Sequence, residues 1–209
     1  MWTGWLCCRK KAKTLTDMAK VLGVTGGIGS GKSYVCGVFR SLGCKVYDSD
    51  SRTKELYDEK PEILSGLVKI LGKGILKKGK LDRKAMAAII FGDRNLLEKV
   101  KEFVYPFVME DFRLWKRWKR GTVIFESAVI LENGYVRSFV DKTLVVTAPL
   151  KERIRRVMER DGSSEEQVRA RLASQVSDKE RLRLADFTLE SVQGKDIEAQ
   201  ARRILEQMN

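Results

Sequence analysis

The stretch GVTGGIGSGKSY, residues 23–34, crowds glycines in front of a single lysine. The residues just before it, 21–25, form a β-rich run and predict a short strand. After it, residues 32–42 place apolar side chains at helical spacing, and Gly43 follows where such a helix would end. A strand, a glycine-rich turn and a helix therefore follow one another, which is the structural context of a phosphate-binding loop.

The spacing of this loop matches G-x-x-x-x-G-K-(S/T), with Gly26, Gly31, Lys32 and Ser33 at the fixed positions. Glycines let the backbone turn its N–H groups toward a phosphate, and the positive end of the following helix adds to the attraction. Lys32 is expected to reach the β- and γ-phosphate oxygens of ATP, and Ser33 to bind Mg²⁺. The residues predicted to bind ATP are Gly27, Ile28, Gly29, Ser30, Gly31, Lys32, Ser33 and Tyr34.

The composition of the 209-residue chain narrows the chemistry that it can perform. It has 41 Lys and Arg against 28 Asp and Glu, and this net charge of +13 favours phosphate-rich or other polyanionic partners. It has no histidine, which excludes histidine general bases, histidine metal sites and Ser-His or Cys-His nucleophile pairs. A carboxylate must therefore serve wherever the reaction needs a base.

The cysteines and the apolar runs favour a cytoplasmic protein. The four cysteines form no C-x-x-C pair, so a zinc site is not expected. Cys36 and Cys44 are expected to be buried thiols in a reducing cytosol. No apolar run approaches the ~20 residues that a membrane span needs.

The first seventeen residues, MWTGWLCCRKKAKTLTD, differ from the rest of the sequence. They combine tryptophans, adjacent cysteines and a basic cluster, and their charges follow the apolar residues, which is the reverse of a secretory signal. Met18 opens the run MAKVLGVTGG, a natural start for a first strand. We expect residues 1–17 to be a disordered extension from an upstream start codon; a membrane-associating tail is the alternative.

Strand-like and helical segments alternate along the rest of the chain. Further strands are predicted at 45–47, from 122, at 141–148 and at 187–189, with a last helix from about residue 195. Such alternation implies an α/β fold with a mostly parallel sheet and helices on both faces. Residues 51–120 have almost no strand pattern. The predicted single domain, residues 18–209, therefore divides into a core of 18–50, 121–148 and 181–209, a helical insert of about 51–120 and a lid of about 149–180.

Asp48 and Asp50 end the second predicted strand, in VYDSDSR. Because the carboxyl ends of neighbouring parallel strands open onto one crevice, both carboxylates should face the γ-phosphate. A carboxylate there could accept the proton of an acceptor hydroxyl or bind Mg²⁺. The alternative is that the pair caps the following helix near Arg52. The two roles are compatible, since one aspartate can cap while the other reacts.

Residues 148–175 predict two helices joined at residues 161 and 162, with Ser163 and Glu166 forming a capping box at the start of the second. The first helix carries an arginine stripe, formed by Arg153, Arg156 and Arg160. An arginine stripe that closes over a phosphate site neutralises the transition state and excludes water. The alternative is a solvated basic helix that is paired with its own glutamates.

The run FRLWKRWKR, residues 112–120, interleaves aromatic and cationic side chains, a pattern compatible with stacking against nucleic-acid bases. Val108, Phe112 and Trp115 nevertheless lie at the spacing of a buried helical stripe, which favours core packing. Residues 79–93 also show helical spacing, and the cations at their start could meet an anionic acceptor. These cations are Lys80, Arg83 and Lys84.

Together these motifs resemble the dephospho-CoA kinase family of P-loop kinases. The matching segments, in the family's order, are GVTGGIGSGKS, VYDSDSRTKEL, GKLDRKAMAAIIF, ESAVILENG, VVTAPLKERIRRVMERD and ASQVSDKERLRLADF. They cover nearly everything from residue 21 to residue 187. The resemblance implies a P-loop NTPase fold with a helical CoA-binding insert and a helical lid. It also implies Mg²⁺-dependent transfer of the γ-phosphate of ATP to the ribose 3′-hydroxyl of dephospho-CoA, the final step of coenzyme A synthesis.

The resemblance also assigns roles to residues by motif. It implies that Asp50 is the catalytic base, that Arg156 is the lid arginine acting on the transferring phosphoryl, and that Lys32 is the phosphate-loop lysine, which gives a catalytic set of Asp50, Lys32 and Arg156. The expected position of Asp50 beside the γ-phosphate also makes it a candidate Mg²⁺ ligand. The residues expected to contact substrates are Asp48, Arg83 and Arg160. Two positions depart from the family pattern: Tyr105 replaces the histidine of a usual His-Pro pair, and Ser191 stands near a usual asparagine. Neither lies in the phosphate loop, so we predict an active enzyme.

Other functions stay open from the sequence. A different P-loop kinase would phosphorylate a nucleotide or nucleoside, and a nucleic-acid-binding ATPase would use WKRWKR and bind in a salt-dependent manner. An inactive homologue is the third alternative. A switch GTPase is disfavoured because the sequence lacks N-K-x-D and supplies arginines in cis. The expected partners are ATP and dephospho-CoA, without nucleic acid or membrane, and the expected state is a monomer or weak homo-oligomer.

Overall fold

The computed structural model describes residues 19–208 of the chain, so the extension predicted over residues 1–17 lies outside it. The strands are β1 (Lys20–Thr25), β2 (Lys45–Asp48), β3 (Leu76–Lys77), β4 (Lys80–Leu81), β5 (Thr122–Glu126), β6 (Lys142–Thr147) and β7 (Phe187–Glu190). The helices are α1 (Lys32–Ser41), α2 (Ser49–Glu59), α3 (Pro61–Leu71), α4 (Arg83–Phe91), α5 (Arg94–Lys116), α6 (Gly134–Arg137), α7 (Leu150–Asp161), α8 (Glu165–Ala173), α9 (Asp178–Leu184) and α10 (Ile197–Met208).

Five of the strands form one parallel sheet in the order β2-β5-β1-β6-β7. Asp48 lies opposite Glu126 across β2 and β5, and Glu126 lies opposite Val24 across β5 and β1. This register brings the carboxyl ends of three strands to one edge of the sheet, beside the loop that follows β1. The predicted mostly parallel sheet is confirmed.

Apolar side chains alternate between the two faces of this sheet, as the pleat of a strand requires. Leu22 and Val24 of β1 pack with Phe39 of α1 and Ile204 of α10. Val21, which directly precedes Leu22, belongs to a separate core formed with α2, α3 and α5. Helices therefore cover both faces, which confirms the predicted layering.

The region predicted as a helical insertion contains α2 to α5 and a short antiparallel hairpin, β3–β4, that the sequence pattern did not indicate. The longest of these helices, α5, has 23 residues and contains Pro106. It packs against α2, α3 and α4. These helices lie next to the carboxyl ends of β2 and β5, the strands that end at Asp48 and Glu126.

The carboxyl-terminal turns of α5 confirm the predicted buried stripe. Val108 and Phe112 are buried and Trp115 is half-buried. The ring centroids of Phe112 and Phe125 are 4.7 Å apart, in a tilted arrangement that favours aromatic packing. Trp118 is 74% exposed. The aromatic residues of this run therefore divide between core and surface.

The two helices predicted around residue 162 are α7 and α8, and Gly162 between them has a left-handed φ of 64°. The predicted capping box of Ser163 and Glu166 is wrong by one residue. Instead, Gln167 N donates to Ser164 Oγ (3.3 Å) and Ser164 N donates to Gln167 Oε1 (3.1 Å). The helix begins one residue later than expected, so its capping residue also moves by one.

No helix within residues 19–208 combines the length and the apolarity that crossing a lipid bilayer requires. Cys36 is buried and Cys44 is half-buried, both as free thiols. Burial, followed by the neighbouring Glu126 carboxylate, raises the pKa of Cys36 far above its usual range. The expectation of a buried thiol is therefore confirmed at Cys36.

Replacing Phe112 with alanine should lower the free energy of unfolding by about 3–5 kcal/mol, because the fully buried ring would leave a cavity behind it. Urea titration followed by circular dichroism measures this loss. Leu114→Ala on the same helix is the matched control, since Leu114 is 52% exposed and should change stability by only about 0.5 kcal/mol. Equal losses in the two variants would contradict the packing of this helix.

Candidate active site

In the loop between β1 and α1, other parts of the chain pack directly against the backbone of glycine residues. Gly29 and Gly31 have left-handed φ values of 76° and 92°. A Cβ added at Gly29 would lie 2.5 Å from the backbone oxygen of Arg153, and one at Gly31 would lie 2.5 Å from Ser191 Oγ. Both the conformation and the space therefore require glycine.

The first two residues of α1 turn their side chains toward the loop and the sheet edge. Lys32 Nζ donates to the Gly26 carbonyl at 2.8 Å, and Ser33 Oγ donates to Glu126 Oε1 at 2.8 Å. Burial lowers the pKa of Lys32, and the opposing effects of the Glu126 and Asp50 carboxylates are smaller. The Lys32 ammonium group is therefore partly buried, and it is near enough to the carboxylates of Glu126 and Asp50 for their charges to affect its pKa.

Glu126 is a candidate site residue that the sequence reasoning missed. It ends β5, is 8% exposed, and lies opposite Asp48 in the sheet. The available signal was a carboxylate at the end of a strand, in the segment TVIFES. That signal needs the strand order, which places β5 beside β1.

The two aspartates of VYDSDSR are in different positions. Asp48 caps α2, and its carboxylate accepts from Asp50 N (3.1 Å), Ser51 N (3.0 Å) and Ser51 Oγ (2.7 Å). Asp50 lies in the first turn of α2, and its carboxylate is open to a cavity. Asp50 is an exposed residue at the edge of this cavity, yet the partial loss of solvent around its carboxylate, and then the charge of Asp48, raise its pKa above the usual range, whereas Lys32 opposes the shift.

The cavity in front of Asp50 has a volume of about 410 Å³ and is mostly apolar. The hydrophobic part of its wall includes Tyr57, Met109 and Phe125. Tyr105 also lines it, and burial raises the pKa of Tyr105 above the usual range of a tyrosine. We refer to it as the Asp50 cavity.

A second space, of about 850 Å³, adjoins the Asp50 cavity and shares Lys101 and Tyr105 with it as lining residues. Its remaining wall is more polar and includes Arg94, Glu132 and Asn133. It extends from α4 and α5 to the segment between α8 and α9. An elongated molecule could occupy both spaces at once.

The predicted arginine stripe lies beside the phosphate loop but its members differ in their contacts. Arg156 donates to Glu152 Oε1 (2.8 Å), to the Ser191 carbonyl (2.8 Å) and to the Gly29 carbonyl (3.5 Å). Arg160 is exposed and pairs with Asp161 at 2.7 Å. Together with Lys32 and Ser33, Arg156 and Arg160 line a small cavity of about 160 Å³ at the start of α1.

Arg83, the predicted acceptor contact, is exposed at the start of α4. It donates to Asp58 Oδ2 at 2.7 Å and to the Lys54 carbonyl at 2.8 Å. Lys54 itself lines the Asp50 cavity. The structure therefore places Arg83 behind the cavity wall, whereas Asp50, Lys32 and Arg156 surround the phosphate loop.

Two residues of the segment predicted as a lid, residues 149–180, contact the phosphate loop at Ile28. We call this range the lid segment. The sequence reasoning did not identify these contacts. Arg153 Nε donates to the Ile28 carbonyl at 2.9 Å, and Ile28 N donates to Gln175 Oε1 at 3.0 Å. Arg153 is buried and also pairs with Asp178. Arg153 belonged to the predicted stripe, but Gln175 lies in a loop and gives no local signal.

On the other side of the loop, a cavity of about 550 Å³ opens beside Gly31. Tyr34, Arg155 and Gln193 contribute to its wall. Ser191, which stands near a usual family asparagine, also lines it and meets the loop through its hydroxyl. The phosphate loop therefore lines this cavity through Gly31, whereas Asp50, whose charge affects the pKa of Lys32 in the loop, lines the Asp50 cavity.

A phosphate loop with adjoining cavities and a carboxylate close to its lysine is the arrangement of a phosphoryl-transfer enzyme. A comparison with known families shows to which family of such enzymes the chain belongs. The family model of dephospho-CoA kinase matches residues 20–196. This chain belongs to the dephospho-CoA kinase family. Dephospho-CoA kinase phosphorylates dephospho-CoA in the final step of coenzyme A biosynthesis, and the chain is accordingly a kinase and a phosphotransferase.

Individual relatives agree with this assignment. The dephospho-CoA kinase of Porphyromonas gingivalis is 42% identical over 155 residues, which are 74% of this chain and 76% of that protein. A crystal structure from Thermus thermophilus has a TM-score of 0.80 at 32% identity and covers 92% of this chain and 99% of that one. The dephospho-CoA kinase from Campylobacter jejuni has a TM-score of 0.63 at 26% identity, with coverages of 91% and 98%. The predicted P-loop NTPase fold is confirmed.

Gly29→Ala should weaken binding of MgATP about tenfold or more, because the left-handed backbone and the contact with the Arg153 carbonyl both disfavour a methyl group. Isothermal titration calorimetry measures the affinity. Gly37→Ala is the matched control: it lies in α1 with no atom within 4 Å of the added methyl, and should keep the affinity while stabilising the helix. A folded Gly29→Ala protein with wild-type affinity would contradict the proposed loop function.

Proposed function

We propose that this dephospho-CoA kinase binds MgATP in the loop of residues 26–33 and uses Asp50 as the general base toward the ribose 3′-hydroxyl of dephospho-CoA. The observation that carries the proposal is the position of the Asp50 carboxylate. It opens into the Asp50 cavity and is close enough to Lys32 to affect its pKa. A base between the acceptor space and the phosphate lysine is what in-line transfer needs.

The nucleotide would lie across the loop with its phosphates toward Lys32 and the start of α1. Backbone N–H groups of the loop and the positive end of α1 favour the phosphate charge. Lys32 would bind the β- and γ-phosphate oxygens, and the cavity beside Tyr34 and Gln193 would take the nucleoside part. Tyr34 is exposed on α1 and available for such a contact.

The divalent cation of this kinase is proposed to be Mg²⁺. The hydrogen bond from Ser33 to Glu126 places hydroxyl and carboxylate oxygens together at the start of α1, and hard oxygen donors suit Mg²⁺. Ser33, with Glu126 and Asp50 nearby, would hold it against the phosphates. When bound, Mg²⁺ neutralises charge on the phosphate oxygens.

The acceptor would occupy the Asp50 cavity and the adjoining 850 Å³ space. The apolar wall of the first suits the adenosine of dephospho-CoA. Lys101, shared by both spaces, and Arg94 in the second suit the charge of its diphosphate. Tyr105 stands between the two spaces and would contact the acceptor where they meet.

The reaction itself needs little from the protein beyond placement and charge. Asp50 accepts the proton of the 3′-hydroxyl as its oxygen forms a bond to the γ-phosphorus, and the bond to the β–γ bridging oxygen breaks so that ADP leaves. Lys32 and Arg156 stabilise the negative charge of the transferring group. Arg160 would assist at the small cavity that it lines.

The two remaining substrate contacts are proposed to act indirectly. Asp48 fixes the first turn of α2, and with it Asp50, through its capping bonds. Arg83 fixes the Lys54 segment of the cavity wall. A cytoplasmic location, a monomeric or weakly associating state and the absence of nucleic-acid binding stay predictions.

The direct test is ATP consumption by the purified protein with Mg²⁺, compared for dephospho-CoA, AMP, CMP and no acceptor. We expect turnover with dephospho-CoA to exceed the other three by orders of magnitude, with coenzyme A and ADP as products. Equal or greater turnover with a nucleotide would overturn the proposed acceptor.

Asp50→Asn should lower kcat about 10²- to 10⁴-fold, because the proton acceptor is lost. The affinity for MgATP should stay within a few-fold of wild type, because the phosphate loop is unchanged. Asp48→Asn is the matched comparison. It should cost about 1 kcal/mol of stability through the weakened cap and much less activity. If Asp48→Asn loses more activity than Asp50→Asn, Asp48 is the base.

Asp50→Asn should also make the protein more stable at neutral pH. The pKa of Asp50 is raised in the folded state, so ionisation favours the unfolded state; this destabilisation is absent below the unfolded pKa of about 4 and complete above the folded pKa. The melting temperature of the variant should therefore exceed that of the wild type at pH 7.5, and the gap should narrow toward pH 4. A gap that widens on acidification would show that burial does not disfavour the carboxylate.

A further inference from the structure

Arg181, in the middle of α9, is the largest fully buried side chain in the part of the chain that the structure describes, with 1% of the residue exposed. A buried guanidinium needs partners for its charge and its five N–H bonds. Arg181 Nη2 donates to Glu132 Oε1 at 2.7 Å. The second terminal nitrogen, Nη1, is 3.5 Å from Asp178 Oδ1, which makes a weak hydrogen bond.

The third nitrogen of this group, Arg181 Nε, has no hydrogen-bond partner within residues 19–208, although it is buried. Leaving a charged donor unsatisfied in the interior costs more than an ordinary missing hydrogen bond. Asp178 cannot fully satisfy the guanidinium because it also pairs with Arg153. The group therefore has spare capacity to bind a negatively charged ligand.

The guanidinium borders the phosphate loop. A Cβ placed on Gly27 would lie 3.1 Å from Arg181 Nη1 and 2.1 Å from Arg153 Nη2. Burial is the main cause of the lowered pKa of Lys32, and the positive charge of Arg181 adds to it. Two arginines and the phosphate lysine thus converge on one end of the loop.

Arg156 approaches the loop from a different side, at residue 29, and lines the small cavity at the start of α1 together with Lys32. Its contacts are the Gly29 and Ser191 carbonyls, and it lines the cavity proposed for the nucleoside of ATP. Arg181 instead binds Glu132, which lines the larger space proposed for the acceptor. Arg181 therefore lies on the acceptor side of the loop.

We propose that Arg181 is a further catalytic residue, whose guanidinium contacts the phosphoryl group as it passes from ATP to the acceptor. This inference rests on the proposed placement of ATP in the loop. In the step it assists, the acceptor oxygen bonds to the γ-phosphorus, its proton moves to Asp50, and the bridging P–O bond breaks with its electron pair leaving on ADP. The charge that the transferring oxygens carry meets the unsatisfied Nε–H and Nη1 of Arg181.

The environment of Arg181 suits this task better than that of a surface arginine. The 2.7 Å bond to Glu132 and the burial of the side chain hold the guanidinium in place, so little reorganisation is needed when the transition state forms. The site is closed to bulk water at this position, which strengthens the interaction with phosphate oxygens. Lysine at residue 181 would keep the charge but lose the planar fork.

The first test compares Arg181→Lys with Arg183→Lys, a matched exposed position on the same helix. Arg181→Lys should lower kcat about 10²-fold or more, leave the affinity for MgATP within about threefold, and keep the pH of the acid limb of kcat, because Asp50 is untouched. Arg183→Lys should match the wild type. A kcat within threefold of wild type in Arg181→Lys would overturn the proposal.

A second measurement uses the wild-type protein, in case Arg181→Lys fails to fold. The side-chain ¹⁵Nε–¹H resonance of Arg181, assigned by triple-resonance NMR, is followed on adding MgADP with dephospho-CoA, and then aluminium fluoride as a stand-in for the transferring phosphoryl. We expect a large shift and slowed hydrogen exchange at the last addition only. An unchanged resonance in a complex that has formed would show a purely structural arginine. If the proposed function were wrong instead, the wild type would show no dephospho-CoA-dependent turnover in the first place.

Discussion

The close approach of the lid segment to the bare backbone of the phosphate loop is the constraint on which the rest of this site depends. Positions 27, 29 and 31 have no room for a Cβ, because arginine groups and Ser191 already occupy that space. The lid segment therefore holds the loop directly, through both the amide and the carbonyl of Ile28. Movements of the lid segment near Arg153 and Gln175 would be transmitted to the loop that receives the phosphates.

Several charged side chains cluster around the phosphate loop, and they share partners instead of forming separate ion pairs. Lys32, Arg153 and Arg181 meet there at the carboxyl edge of the sheet, and the acidic groups nearest to them are Glu126, Asp178 and Glu132. Burying so much charge costs stability. Loss of solvent around the two side chains raises the pKa of Asp50 and lowers the pKa of Lys32, so the charged form of each is less favourable here than in water. A highly charged substrate would relieve much of that cost, which ties stability in this region to ligand binding.

How much of this could be predicted from the sequence depends on how local each feature is. The phosphate loop and its helix lie within one strand–loop–helix segment, so spacing alone predicted their arrangement. Spacing also predicted a carboxylate pair at the end of β2, but it did not separate the capping role of Asp48 from the open position of Asp50. Glu126 and Arg181 could not be predicted in this way, because their positions depend on strand order and on the docking of α9. The displaced capping box has a different cause. Ser163 and Ser164 each precede an acceptable partner by three residues, so the local pattern alone does not distinguish them, and the structure has Ser164 as the cap.

The most direct test of the central claim is a crystal structure with a non-hydrolysable ATP analogue, Mg²⁺ and dephospho-CoA bound together. We predict the γ-phosphate over Lys32, the ribose 3′-hydroxyl within hydrogen-bond distance of the Asp50 carboxylate, and that hydroxyl in line with the γ-phosphorus. An acceptor ribose bound away from Asp50, or a triphosphate that leaves the loop empty, would contradict the account.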